Sequence, residues 1–134
     1  MSLFTKVAEL MRQAAIRDLQ GKISRVENEM QELTRQKKEY ESFIEKATTA
    51  NTYLTNASGN LTTAQEGLEK NYEGYKAGGI KNAIDGRKGD ISSVKEKLNT
   101  YIETAEEKAK DLEQKIKDKQ EYLDELNRAL SSLW

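Results

Sequence analysis

From Ile16 onward the apolar residues of the chain recur at alternating intervals of three and four: Ile16, Leu19, Ile23, Val26, Met30, Leu33, then Lys37, Tyr40, Ile44, Ala47, Asn51 and Leu54. This is the a/d seam of a coiled coil, and it predicts one long helix, because only a helix returns such positions to one face. A second run repeats the pattern from Leu98 through Ile102, Ala105, Ala109, Leu112, Ile116, Lys119, Leu123, Leu126 and Leu130 to Leu133. The residues between are mostly Arg, Glu, Gln, Lys and Thr. Each stripe is narrow, so the two are expected to pack on one another or on a partner.

Between the runs the composition changes. Residues 55–60 read Thr-Asn-Ala-Ser-Gly-Asn, and five more glycines fall between Gly74 and Gly89. Glycine costs a helix interior about 1 kcal/mol relative to alanine, so this density predicts the reversal of the chain. The first register continues weakly through Leu61 and Leu68, which extends arm one over about 3–72, with a kink near Gly59 left open. The turn region is then about 73–89. Arm two covers about 90–133, with Asp90 as its N-cap. The whole is one all-α domain, a long antiparallel helical hairpin whose arms of about 55 residues span roughly 80 Å. Such a hairpin has only one seam and is expected to complete a helical bundle with a partner or a second copy, burying Ile44, Leu54, Val94, Tyr101 and Tyr122.

Individual positions sharpen this picture. Asn51, Lys37 and Lys119 fall on the seam; Asn51 is read as a register-setting residue and the lysines as snorkelling from its edge. Tyr40, Phe43, Tyr53, Tyr101 and Tyr122 are an aromatic set that could form a binding surface, although packing within the chain is the favoured use. Leu3, Phe4, Val7, Leu10 and Met11 are expected to cover the open end near Leu130, Leu133 and Trp134, with an amphipathic membrane contact as the alternative. Acidic pairs such as Glu106-Glu107 and Asp124-Glu125 read as a solvated face rather than a cation site.

Composition narrows the function. Hydrophobic residues make up 36% and charged residues 34% of the 134, too little apolar material for a wide core. There is no His, Cys or Pro. Without imidazole or thiolate, serine–histidine and cysteine–histidine catalysis and thiolate or histidine metal sites are excluded, so no enzyme, cofactor or metal is expected. The absence of Pro permits long helices. Positive and negative side chains are mixed throughout for a net charge of −1, which leaves no basic stripe for nucleic acid. No apolar segment approaches the ~20 residues of a membrane span and no signal peptide is apparent. A cytoplasmic protein is expected, with export alongside a partner by a signal-peptide-independent route left open.

At the turn, Tyr72-Glu73-Gly74 sits between two long helical arms. This resembles the Trp-X-Gly turn of the WXG helical-hairpin proteins of type VII secretion, with Tyr in place of Trp. Over nearly its full length the chain is similar to the YwqH-like small proteins associated with LXG toxins. The family's export signal, an aromatic followed four residues later by an acidic residue, is not met, since Leu126 follows Tyr122 at that spacing. The resemblance implies an accessory or targeting factor whose hairpin joins the N-terminal helices of an LXG-type toxin, with Tyr72 and Gly74 as its turn motif. The alternative is a generic coiled-coil structural or adaptor protein of a filament, phage assembly or scaffold.

Overall fold

A computed structural model describes residues 2–72, 74 and 78–134. Two α-helices account for nearly all of it: α1, Leu3–Asn71, and α2, Gly79–Leu133. They run antiparallel against one another as a helical hairpin, and no strand occurs among the described residues.

Local chemistry explains where the helices begin and persist. Ser2 caps α1, its Oγ accepting the Thr5 N–H at 3.2 Å. The Thr-rich stretch after Ala47 stays helical, as do Ser58 and Gly59, and its hydroxyls are satisfied within the helix by donating to carbonyls four residues back. Thr49, Thr52, Thr55, Thr62 and Thr63 all do so at 3.0–3.2 Å. At the other end of α1 the Tyr72 N–H donates to the Leu68 carbonyl at 2.9 Å and the Asn71 amide donates to Gly67 at 3.0 Å.

The second helix starts earlier than glycine content predicts. It begins at Gly79, and Asp90 lies well inside it rather than at its cap. The a/d spacing reaches back from Leu98 through Lys95, Ile91, Lys88 and Ile84 to Lys81, all of them half-buried. Lysines at these positions hide the pattern from a search for apolar residues, but their aliphatic stems line the seam while the ammonium groups reach its edge. Gly86 and Gly89 sit on the outer face, where an added Cβ would meet nothing within 4 Å. They weaken the helix but interrupt no packing.

The chain divides into two compact units, Met1–Glu39 with Lys108–Trp134, and Tyr40–Glu107. In the first unit Ile16, Val26, Leu112 and Leu126 form the buried core. The Arg12 guanidinium donates to the Leu133 carbonyl, where a cation complements the C-terminal end of α2. Lys119 pairs with Glu29 at 2.5 Å, and Lys37 approaches Glu113 at 4.0 Å. Both seam lysines thus carry their charge to the edge, in agreement with snorkelling. The apolar side chains at 3, 4, 7, 10 and 11 do not cover the end of this unit as expected. All five are exposed, as is Trp134. At about 100° per residue they lie roughly opposite the side of α1 that Glu9, Arg12 and Ile16 turn towards α2.

In the second unit Ala47 and Ala105 are buried. Asn51 Nδ2 donates to Asn99 Oδ1 at 2.6 Å, Gln65 donates to Asp85 at 2.8 Å, and Lys88 donates to Gln65 at 3.3 Å. These cross-links set the pairing of the helices: residue 51 lies beside 99 and residue 65 beside 85.

Candidate functional site

With the seam of α2 assigned from Lys81 to Leu133, the residue immediately before each a position is a g position. That row reads Ile80, Arg87, Val94, Tyr101, Lys108, Lys115, Tyr122 and Ala129. Ile80, Val94, Tyr101 and Tyr122 are exposed, at 44%, 46%, 58% and 43%. Every large apolar side chain that α2 leaves exposed within its helix therefore falls at one heptad position. The opposite flank, position e, carries Asp85, Ser92, Asn99, Glu106, Glu113, Gln120 and Asn127. Two flanks of one seam thus differ in kind.

In the second unit α1 reinforces the difference. Antiparallel helices place g beside g and e beside e, and the observed bonds agree, since both Asp85 and Asn99 are e residues bonded to a residues of α1. On the g side α1 presents Phe43, Ala50, Ala57 and Ala64, with Tyr53 on the adjoining rim. Phe43 and Tyr53 are exposed. The pairing of 51 with 99 brings Ala50 level with Tyr101 and Ala57 level with Val94. On the e side α1 presents Glu41, Thr48, Thr55, Thr62 and Glu69. Among the described residues of 43–101, the exposed large aromatic and aliphatic side chains, apart from Tyr72 at the turn, therefore gather on a single flank. Taking aromatic side chains at 150–250 Å² each, they leave roughly 500 Å² of apolar surface in water. That is the size, about 300–600 Å², of the largest apolar patch on a typical monomer, a patch that often serves function.

The residues singled out from sequence separate into groups. Val94, Tyr101 and Tyr122 lie on the exposed g row. Ile44 and Leu54 are half-buried on the seam, facing α2. Asn51 makes the cross-helix hydrogen bond described above, while its Oδ1 is buried without a partner. Tyr40, Phe43, Tyr53, Tyr101 and Tyr122, favoured for internal packing, are all exposed at 36% or more. Tyr72 is half exposed at the end of α1, and its ring lies over Gly74, where an added Cβ would come within 3.3 Å of it. Glu73 lies outside the described residues. Sequence reasoning missed Ile80 and the grouping of Phe43 and Tyr53 with Val94 and Tyr101. The seven-residue recurrence at 80, 94, 101 and 122 was the available signal.

Electrostatics on the flank are mild. Arg87 and Asp90 form a loose pair at 3.8 Å, both well exposed. Elsewhere, Arg35 reaches both Glu32 and Glu39, and its hydrogen bonds hold the Glu32 carboxyl down to about 2. Arg12 likewise lowers Glu9, and Lys81 with Gln65 lowers Asp85. Among the described residues no group of three or more Asp or Glu could hold a metal ion, and no helix is long and apolar enough to cross a membrane. The chain matches no known protein family, no curated protein and no solved structure.

Proposed function

We propose that this chain is a non-enzymatic helix-binding protein, an accessory or targeting partner of an LXG-type effector of type VII secretion. It accompanies its effector to the secretion machine and contributes helices to a shared bundle. The observation that supports this reading is the row of exposed apolar side chains at one heptad position of α2, with Tyr101 and Tyr122 as aromatic anchors of the kind that concentrate binding energy. The motif Tyr72-Glu73-Gly74 and the length of the arms point to the same class of partner.

Co-purification with the N-terminal helical domain of an LXG toxin from the same cell tests the proposal. Tyr122→Glu is expected to weaken that complex by about tenfold or more while helicity by circular dichroism is unchanged. Failure of the wild-type chain to bind the toxin domain, or undiminished binding by Tyr122→Glu, would refute it. Saturable turnover of any substrate would remove the non-enzymatic part of the reading.

A further inference from the structure

The seam of the second unit is built unlike that of the first. The pairing of 51 with 99 and of 65 with 85 sets Leu54, Leu61 and Leu68 of α1 opposite Lys95, Lys88 and Lys81 of α2. In the alternate layers Leu98, Ile91 and Ile84 of α2 meet Asn51, Ser58 and Gln65. Every layer along this stretch therefore puts one apolar side chain against one polar one. Among the described residues from 48 to 104 not one is buried, whereas the first unit buries Ile16, Val26, Leu112 and Leu126. Thr, Asn and Ser crowd α1 between 48 and 63, and Gly86 and Gly89 lie in α2, so neither helix is held strongly by its own propensity. Segments with few buried apolar contacts open at lower free energy than the rest of a protein.

The three lysines stand seven residues apart, about 10 Å along the helix, and α1 offers them no carboxylate at any seam position from Asn51 to Leu68. Lys88 donates to the Gln65 amide oxygen at 3.3 Å, and Lys81 pairs with Asp85 of its own helix at 2.8 Å. A second copy of the chain would bring the same neutral α1 seam and mend nothing. The layers are completed by a helix that carries Asp or Glu where α1 has leucine, and Leu or Ile where α1 has Asn51, Ser58 and Gln65. We propose that the second unit is a clasp that opens while the first stays paired, and that the freed seam of α2 from Lys81 to Leu98 binds an acidic amphipathic helix of the effector. Each layer then becomes apolar on apolar or lysine on carboxylate, and half-buried ion pairs of this kind are screened by salt less than surface ones. Val94 and Tyr101 border the same stretch of α2 and extend the contact. This inference rests on the reading of the protein as a helix binder; it adds the chemistry of the incoming helix and the place where it enters.

Amide hydrogen exchange should find residues 51–68 and 81–98 at least about tenfold less protected than 19–33 and 112–126. A synthetic helical peptide with Glu and Leu alternating along its seam should bind the wild-type chain, and the same peptide with Lys in place of Glu should not. The chain has no cysteine, so Ser58→Cys with Ile91→Cys, a pair that faces across one layer, should form a single disulfide within the chain on mild oxidation. The locked clasp should bind the glutamate peptide about tenfold or more weaker, and reduction should restore binding in the same sample. Lys88→Leu with Lys95→Leu, which makes two layers apolar, should raise protection of the stretch and weaken the peptide to a similar degree, with circular dichroism confirming that the variant is folded. A cysteine pair that does not link contradicts the layers themselves. Equal protection in the two units, a wild-type chain that ignores the glutamate peptide, or undiminished binding of that peptide by the locked chain overturns the clasp. If the locked chain still binds the effector domain through Tyr122, the clasp fails and the proposed function stands; a chain that takes the glutamate peptide only when unlocked and ignores the effector domain has the opposite meaning.

Discussion

Asn51→Leu should make the protein more stable, and the reason lies in one amide. Asn51 occupies an a position between Ala47 and Leu54, donates to Asn99 at 2.6 Å and buries an Oδ1 that has no hydrogen-bond partner. An unpaired buried acceptor costs about 1–3 kcal/mol, and the hydrogen bond returns about 0.5–1.5 kcal/mol. Leucine removes both terms. At a half-buried seam position it adds about 1 kcal/mol of apolar burial. Asn99 is exposed, so the partner it loses is replaced by water. The balance favours the variant by about 2 kcal/mol, or roughly 5–10 °C in thermal midpoint for a chain of this size. Urea unfolding at one fixed protein concentration measures it, with the slope unchanged. The opposite sign is expected for Asn99→Ala, which strands both polar atoms of Asn51 and should cost about 1–2 kcal/mol. Stability is gained at the expense of register, because a leucine side chain in place of Asn51 tolerates Lys95 or Ile102 opposite it as well as Leu98. Doubled amide resonances in the variant would show that slip. Destabilisation by Asn51→Leu of more than about 1 kcal/mol would refute the reasoning, since it would mean that the amide is fully satisfied in the folded protein.

Further outcomes follow from the glycines, the turn and the charges. Gly59→Ala, Gly86→Ala and Gly89→Ala meet nothing within 4 Å and should each stabilise the helices by about 0.5–1 kcal/mol, nearly additively in denaturant unfolding. At the turn, Gly78→Ala would bring its Cβ to 3.1 Å from the Gly74 carbonyl, a backbone atom, and should destabilise by about 1 kcal/mol or more. Gly74→Ala meets only the half-exposed Tyr72 ring and should cost less. Tyr72→Ala should lower the thermal midpoint while leaving the proposed effector binding intact; loss of that binding at unchanged stability would place recognition at the turn. The Glu32 carboxyl, held at about 2 by Arg35, is depressed below its ordinary 4.5. Its contribution to stability is therefore complete above pH 4.5 and is lost as the pH falls towards 2. Carboxyl resonances followed by NMR should show that midpoint, and Arg35→Ala should raise it towards the ordinary range, with the Gln36 amide still holding it down in part.

The chain's own periodicity determined the class of fold. Intervals of three and four at Ile16 to Leu54 and at Leu98 to Leu133 leave no alternative to two long helices, because the spacing is a property of the helix itself. Glycine content pointed to the reversal but misjudged its far edge. Residues 79–89 are helical because Lys81, Ile84 and Lys88 keep the register, and lysine stems at a positions look polar until their neighbours are known. The fate of Leu3, Phe4, Val7, Leu10 and Met11 was likewise undecidable from hydropathy, since what matters is the angle between their face and the one that Ile16 turns to α2. The site shows the same division. Val94, Tyr101 and Tyr122 stand out as apolar residues off the seam, and that much is written in the sequence. Their union with Phe43 and Tyr53 on one flank, opposite Thr48, Thr55 and Asn99, depends on the antiparallel pairing of residue 51 with 99. A heptad names the face on which each side chain lies along its own helix; only tertiary packing, by choosing direction and register, decides which two faces meet and which are left in water.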